Sequence, residues 1–161
     1  RVMALTPEKI ERFIERGGNH VYVGIESGSQ KILNLVKKKL TIEEILERTK
    51  WINNSKLPWN AFFIVGFPFE TLEDIKKTEE LAYKINPTYI ALNRFTPYPG
   101  TKIWEDYCKN EDIKFVDLFQ LNPDNKIIKL PYENEKYIEK MFQDFDTYNQ
   151  RAKSNSPKEI C

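Results

Sequence analysis

The strongest constraint in this chain is an alternation: short strand-like runs, each closed by a turn and followed by a capped, amphipathic segment. Val21-Tyr22-Val23-Gly24-Ile25 is β-branched and aromatic and is bounded by turn residues, which predicts a strand. Pro58 to Gly66 encloses Ala61-Phe62-Phe63-Ile64-Val65, apolar without alternation, the pattern of a parallel strand buried on both faces. Tyr89-Ile90-Ala91-Leu92, running on through Phe95, predicts another strand, and the short apolar run Val2 to Leu5 reads as the end of one more. Between them lie helix signals. Thr6 is placed to cap a helix with Pro7 at its first position; Ile10, Phe13 and Ile14 keep helical spacing, and Gly17-Gly18 end it. A second helix is expected from Gln30 to Lys37. Thr41 with Glu44, and Thr71 with Asp74, have capping-box spacing and open two longer helices, the later one stopped by Asn86-Pro87. Strands alternating with helices at these distances predict right-handed βαβ units around a parallel sheet of about four strands.

Beyond Gly100 the alternation stops. A short helix is expected from Lys102 to Tyr107, irregular chain around Asn122-Pro123-Asp124-Asn125, and a helix from about Asn134 to Asn149. The expected division is an α/β unit over 1–105, a C-terminal extension with one helix over 106–150, and a disordered tail over 151–161. Twenty-five basic against 24 acidic residues leave a net charge of +1, which favours neither nucleic acid nor an acidic membrane as partner. The two cysteines, Cys108 and Cys161, supply neither a disulfide framework nor a metal cluster and fit a reducing compartment. No apolar run reaches the roughly 18 residues of a membrane helix, so a cytoplasmic location is expected.

Ligands of parallel α/β folds gather where strands run out into loops, and three such ends are unusual here. Gly24-Ile25-Glu26-Ser27-Gly28-Ser29 sets a carboxylate and two hydroxyls between glycines, groups suited to ribose hydroxyls or an ammonium. Its serines could equally cap the next helix. Ile64 to Thr71 carries Gly66 among aromatic rings that could wall an adenine, while Glu70 could accept from a ligand or simply favour the following helix N-terminus. Asn93-Arg94-Phe95-Thr96-Pro97-Tyr98-Pro99-Gly100-Thr101 adds a rigid turn with polar contacts from Asn93 and Tyr98. Nucleophilic catalysis has little support, since the lone His20 precedes its strand and Cys108 has no histidine near it in sequence.

Taken in order, these three segments resemble the fourth, fifth and sixth strand ends of radical S-adenosylmethionine (SAM) enzymes, over about Arg1 to Glu105. The resemblance implies a partial, TIM-like half barrel, corresponding to strands three to six of the family fold. Gly66-Phe67-Pro68-x-Glu70-Thr71 with Thr96-Pro97-Tyr98-Pro99-Gly100-Thr101 looks most like the cobalamin-associated class of Fe–S oxidoreductases, with the tRNA methylthiotransferases second. Phe69 departs from the pattern, standing where these relatives usually carry Gly. The resemblance implies SAM contacts from Glu26 and Ser27 to the ribose or amino-acid part, and from Lys38 to the carboxylate. It implies an adenine-facing wall at Val65, Gly66 and Phe67, closed by Asn93, Phe95 and Tyr98.

The family's CxxxCxxC motif, whose thiolates hold a 4Fe–4S cluster, does not occur in these 161 residues. The parent protein implied would cleave SAM reductively to a 5′-deoxyadenosyl radical; this chain alone would supply no catalytic residue or metal ligand and bind no cofactor tightly. The expectation is therefore a piece cut from a longer protein, in preference to the product of a shortened gene. The alternatives are a non-catalytic α/β binding module that kept the half barrel, and an unrelated nucleotide-binding α/β domain. A half barrel also leaves a strand edge unpaired, which predicts self-association.

Overall fold

The computed structural model describes residues 2–108 and 129–155. Three strands, β1 (Val21–Glu26), β2 (Trp59–Val65) and β3 (Tyr89–Arg94), form one parallel sheet in the order β1-β2-β3. The helices are α1 (Pro7–Glu15), α2 (Gln30–Leu35), α3 (Ile42–Ser55), α4 (Leu72–Ile85) and α5 (Tyr132–Asn155). Strands that neighbour in sequence also neighbour in space, so successive right-handed crossovers carry their helices to the same face. This is the local arrangement of a barrel wall, and the protein is a partial α/β barrel with a C-terminal helix packed beside β3.

Burial records that one-sidedness. Val23, Ala61, Phe63, Val65, Ile90 and Leu92 are buried against Ile45, Ile52, Ile75, Leu81, Ile138, Met141 and Phe145 of the helices. The other face, presented by Tyr22, Asn60, Phe62, Ile64, Tyr89, Ala91 and Asn93, is half-buried or exposed. The apolar run of β2 had predicted burial on both faces. Instead its burial alternates strictly, because helices cover only one side.

Two further expectations at the chain's ends need correcting. Val2 to Leu5 is not a strand: Val2–Ala4 form a 3-10 turn, with the Leu5 amide donating to the Val2 carbonyl at 3.0 Å and Val2 fully buried. An extended segment needs a ladder partner for its peptide groups, and here they are satisfied locally instead. The sheet therefore has three strands where about four were expected. At the other end, helix α5 starts at Tyr132 and runs to Asn155, so the tail expected from residue 151 is helical for five more residues. Gln150 to Lys153 are all good helix formers, and the first proline falls only at Pro157. The short helix foreseen at Lys102–Tyr107 is a π-type turn, Trp104–Cys108, and the Asn122–Asn125 segment lies outside the described residues.

The caps form as the sequence indicates. Thr6 caps α1, and Thr41 with Glu44 and Thr71 with Asp74 form complete capping boxes on α3 and α4. Asn86 ends α4 in the left-handed region, φ 46°.

Two polar devices hold the sheet to its helices. The side-chain amide of Asn149 in α5 accepts from the Ile90 amide at 2.8 Å and donates to the Ile90 carbonyl at 2.9 Å, satisfying the outer edge of β3. The loop after β1 is seated on α4: the Gly28 amide donates to the Thr78 hydroxyl at 3.0 Å, Ser27 and Thr78 share a hydrogen bond of 3.0 Å, and the Ser29 hydroxyl donates to Asp74 at 2.6 Å. A Cβ on Gly28 would lie 2.1 Å from the Lys77 carbonyl oxygen, a backbone atom that a rotamer change cannot move. Gly28→Ala is expected to destabilise the fold by about 3 kcal/mol or more through this overlap, read as a lowered midpoint in urea unfolding. Asn149→Leu leaves both peptide groups of Ile90 without their partner and should cost about 2 kcal/mol in the same assay.

Candidate functional site at the carboxyl edge of the sheet

Parallel register carries all three strand ends to one edge. Glu26 pairs with Phe63, Asn93 with Ile64 and Arg94 with Val65, so Glu26 and Asn93 flank β2 at nearly the same height. Two strand spacings, about 10 Å, separate them. The open face of the sheet between them carries Phe62 and Ile64.

At the β1 end the register slips between Gly24 and Glu26, and Glu26 adopts a left-handed backbone, φ 74°. This bulge folds the Glu26 carboxylate back over Gly24, where a Cβ would stand 2.8 Å from its Oε1 and 3.3 Å from the Lys38 ammonium. Glycine at 24 thus makes room on the open face for an ion pair: Lys38 Nζ lies 2.5 Å from Glu26 Oε1, both side chains about three-quarters buried. Lys38 is presented by a tight segment in which Lys37 (φ 55°) and Lys39 (φ 53°) are both left-handed. Side chains at such angles cost about 1–2 kcal/mol each. Three strained non-glycine residues around one ion pair mark it as built rather than incidental.

At the β2 end Gly66 turns the chain at φ 87°. Glu70 folds back beneath this turn: one carboxylate oxygen accepts from the Gly66 amide at 2.6 Å and the Phe67 amide at 3.3 Å. Its main-chain amide donates to the Phe67 carbonyl, and its carbonyl accepts from Asn134 of α5 at 3.1 Å. Phe67 is buried, its ring 4.6 Å from Phe95 and 5.6 Å from Phe69. Near the end of β3 Asn93 is exposed; beyond the strand Tyr98 is exposed and Phe95 is half-buried, with its amide bonded to the Val65 carbonyl at 2.8 Å.

The expected site residues divide accordingly. Glu26, Lys38, Gly66, Asn93 and Phe95 reach or border the open edge, while Tyr98 is exposed in the loop that follows β3. Val65 and Ser27 do not present side chains there: Val65 points into the helix-side core, and the fully buried Ser27 hydroxyl is taken by Thr78 and the Ser29 amide. Phe67 offers its main chain and only a sliver of ring. Gly28, one of the two glycines that bracket Glu26 and Ser27, admits the close approach of α4. Sequence reading passes over Ile64, whose place on the open face follows from strict alternation along β2, and leaves Glu70 between a ligand acceptor and a dipole partner.

Two carboxyl groups at this edge are held at opposite extremes. Burial pushes Glu70 up from 4.5 to about 7, only partly offset by the Gly66 and Phe67 amides, with Asp74 adding upward pressure. Asp74 is also raised by burial, but Lys31 at 2.8 Å and the hydroxyls of Ser29 and Thr71 outweigh it and hold it well below 3.8.

Among the described residues no cluster of three or more His, Cys, Asp or Glu side chains could hold a metal ion, and the chain's two cysteines stand 53 positions apart. An iron–sulfur cluster that needs three thiolates does not fit on this chain.

A parallel sheet with flanking helices, whose strand edge gathers an acid, a base, an asparagine and aromatic rings over an open apolar floor, defines a partial α/β barrel with a candidate ligand site at that edge. The family follows from comparison: the Radical SAM superfamily model matches residues 2–82, and the chain belongs to that superfamily. It is 31% identical over 137 residues to an uncharacterized methyltransferase of Pyrococcus horikoshii, covering 84% of this chain and 30% of that protein. It is also similar to two proteins named tRNA-2-methylthio-N(6)-dimethylallyladenosine synthase. The one from Pelagibacter ubique is 42% identical over 84 residues (50% of this chain, 19% of the relative). The one from Petrotoga mobilis is 33% identical over 131 residues (78% and 29%). The chain spans less than a third of the length of these relatives.

The two shifted carboxyls set a pH profile. Between 4.5 and 7 the folded state binds a proton on Glu70 that the unfolded chain has released, so stability falls as pH rises through this window, by about 3 kcal/mol in all. Asp74 acts oppositely: its contribution is present above its unfolded value and lost as pH falls below about 4. Urea unfolding of the wild-type chain is expected to show maximal stability near about pH 5, and Glu70→Gln to remove the decline between pH 5 and 8.

Proposed function

We propose that this chain is the adenosyl-binding part of a radical SAM enzyme, supplying one wall of the SAM site while the cluster-binding part lies elsewhere in a longer protein. The observation that carries the reading is the convergence of the Glu26–Lys38 pair, the Gly66 turn and Asn93 on one open strand edge of a superfamily member. Lys38 is suited to the carboxylate of the methionine part, Glu26 to ribose hydroxyls or the ammonium, and Asn93 to polar atoms at the adenine edge. Ile64, Phe95 and the Gly66–Phe67 main chain provide an apolar flank for a purine ring. When bound together with a reduced cluster, SAM supplies radical chemistry; this chain's share is to hold and orient the nucleoside and shield it on one side.

The cobalamin-associated class is the finer assignment we favour, resting on the Thr96 to Thr101 phrase. The named methylthiotransferase relatives favour the second reading, an enzyme that modifies tRNA. Among the described residues no helix is long and apolar enough to cross a membrane. The outer edge of β1 has no strand partner among the described residues and would pair with a further strand of the parent protein, or with a second copy of this chain when alone. Sedimentation showing strict monomers at high concentration would argue against the latter.

With only one wall present, SAM should bind with a dissociation constant of about 1 mM or weaker, near −4 kcal/mol. In a titration followed by NMR, amide shifts should concentrate at residues 24–28, 64–67 and 93–98 and weaken in Lys38→Ala. Micromolar affinity by calorimetry would refute the missing-wall account, and absence of any shift at these positions at saturating nucleoside would refute the assignment of the site.

A further inference from the structure

The Glu70 carboxyl does more than favour a helix end. It is 5% exposed, and only one of its oxygens is hydrogen-bonded; Oε1 is sealed from solvent with no partner among the described residues. Its bonded oxygen holds two successive main-chain amides, Gly66 and Phe67, at the point where β2 turns into the loop of the proposed adenosyl wall. The carbonyl of the same residue is fastened to Asn134 of α5, while Leu130 packs 3.4 Å from where a Gly66 Cβ would stand. The turn is thus clamped from beneath by a single acid.

We propose that Glu70 is a proton-controlled latch and the positioning residue of this wall: its neutral carboxyl holds the Gly66–Phe67 turn closed, and its ionisation releases the turn. The physical reason is the asymmetry of the two oxygens. Neutral, the group keeps a carbonyl acceptor for the two amides and buries no charge. Ionised, it leaves a negative oxygen sealed from solvent with no hydrogen-bond partner among the described residues, and exposure to water or to a cation becomes the lower-energy choice. The carboxyl's position near neutral acidity puts the changeover within the range in which a protein works.

The surroundings fix the direction. From α4, the ionised Asp74 opposes a second negative charge; from α2, Lys31 favours it, but that ammonium already lies 2.8 Å from Asp74 and is itself half-exposed. From α5, Asn134 is neutral, and the adjoining Glu135 is paired with Arg94 of β3 at 3.0 Å. Among the described residues no cation is bonded to Glu70, and the two amides offset only part of the cost of burying its charge, so the closed latch favours the proton.

This inference rests on the adenosyl reading for its purpose but not for its test. Amide hydrogen exchange of Gly66 and Phe67, normalised for intrinsic rates, is to be followed by NMR from pH 5.5 to 8.5 on the whole chain without ligand. Protection is expected to hold on the acid side and to fall above neutrality, by up to about tenfold per pH unit. Glu70→Gln, a permanently neutral isostere that keeps the acceptor, should stay protected throughout, so that the variant at pH 8 matches wild type at pH 6. Lys31→Gln should move the wild-type midpoint upward. Protection of the two amides that is independent of pH, or that falls alike in wild type and Glu70→Gln, overturns the latch. Adding SAM at pH 6 separates the two ideas: a latch that switches while SAM shifts no amide on this edge leaves the proton control standing and removes the adenosyl reading.

Discussion

Everything at the carboxyl edge depends on how the loop after β1 meets α4. Gly28 has no side chain because the Lys77 carbonyl occupies the space one would need, and Thr78 takes both the Gly28 amide and the Ser27 hydroxyl. Ser29 completes the seam by donating to Asp74, the residue that also closes the capping box of α4. A single aspartate therefore joins a helix start, a loop and, through Lys31, the next helix. This seam anchors the segment that follows the bulge at Glu26, while the turn at Gly66 is held separately by the Glu70 carboxyl.

Much of this was legible in the residues. Capping pairs Thr41/Glu44 and Thr71/Asp74, the stop at Asn86, and the three strand runs all appear where their chemistry indicates, because each depends on neighbours within four or five positions. What the residues concealed is tertiary. The glycine and serines after β1 look like ligand-binding groups by type, yet Ser27 and Gly28 are consumed by a helix fifty positions away, and Thr78 by itself advertises nothing. Val2 to Leu5 has strand composition but lacks a partner to pair with. Lys38 was reached through resemblance; its geometry, wedged between two left-handed lysines against a carboxylate over Gly24, is invisible in a run of three basic residues. For Glu70 the residues leave two roles open, ligand acceptor or partner of a helix start, and its hold on the Gly66 and Phe67 amides is a third that only the fold displays.

The site combines opposite electrostatic conditions within a short distance. On the open face, Glu26 and Lys38 form an ion pair while remaining partly in contact with solvent. Beneath the rim, Asp74 is fixed as an anion by a lysine and two hydroxyls, while Glu70 is starved of such help. This strand edge thus has a charge pair in front, and behind it one acid held as an anion and one pushed towards its neutral form.

The amide of Asn149 has a consequence for how such a sheet can grow. By imitating a peptide unit at Ile90, a side chain from α5 occupies the donor and the acceptor that another strand would use, so β3 behaves as a terminus. The far margin of β1 carries no such plug. Growth of the wall is therefore biased: a strand pairing across Ile90 would have to displace the α5 amide, whereas one added beside β1 meets no such obstacle among the described residues.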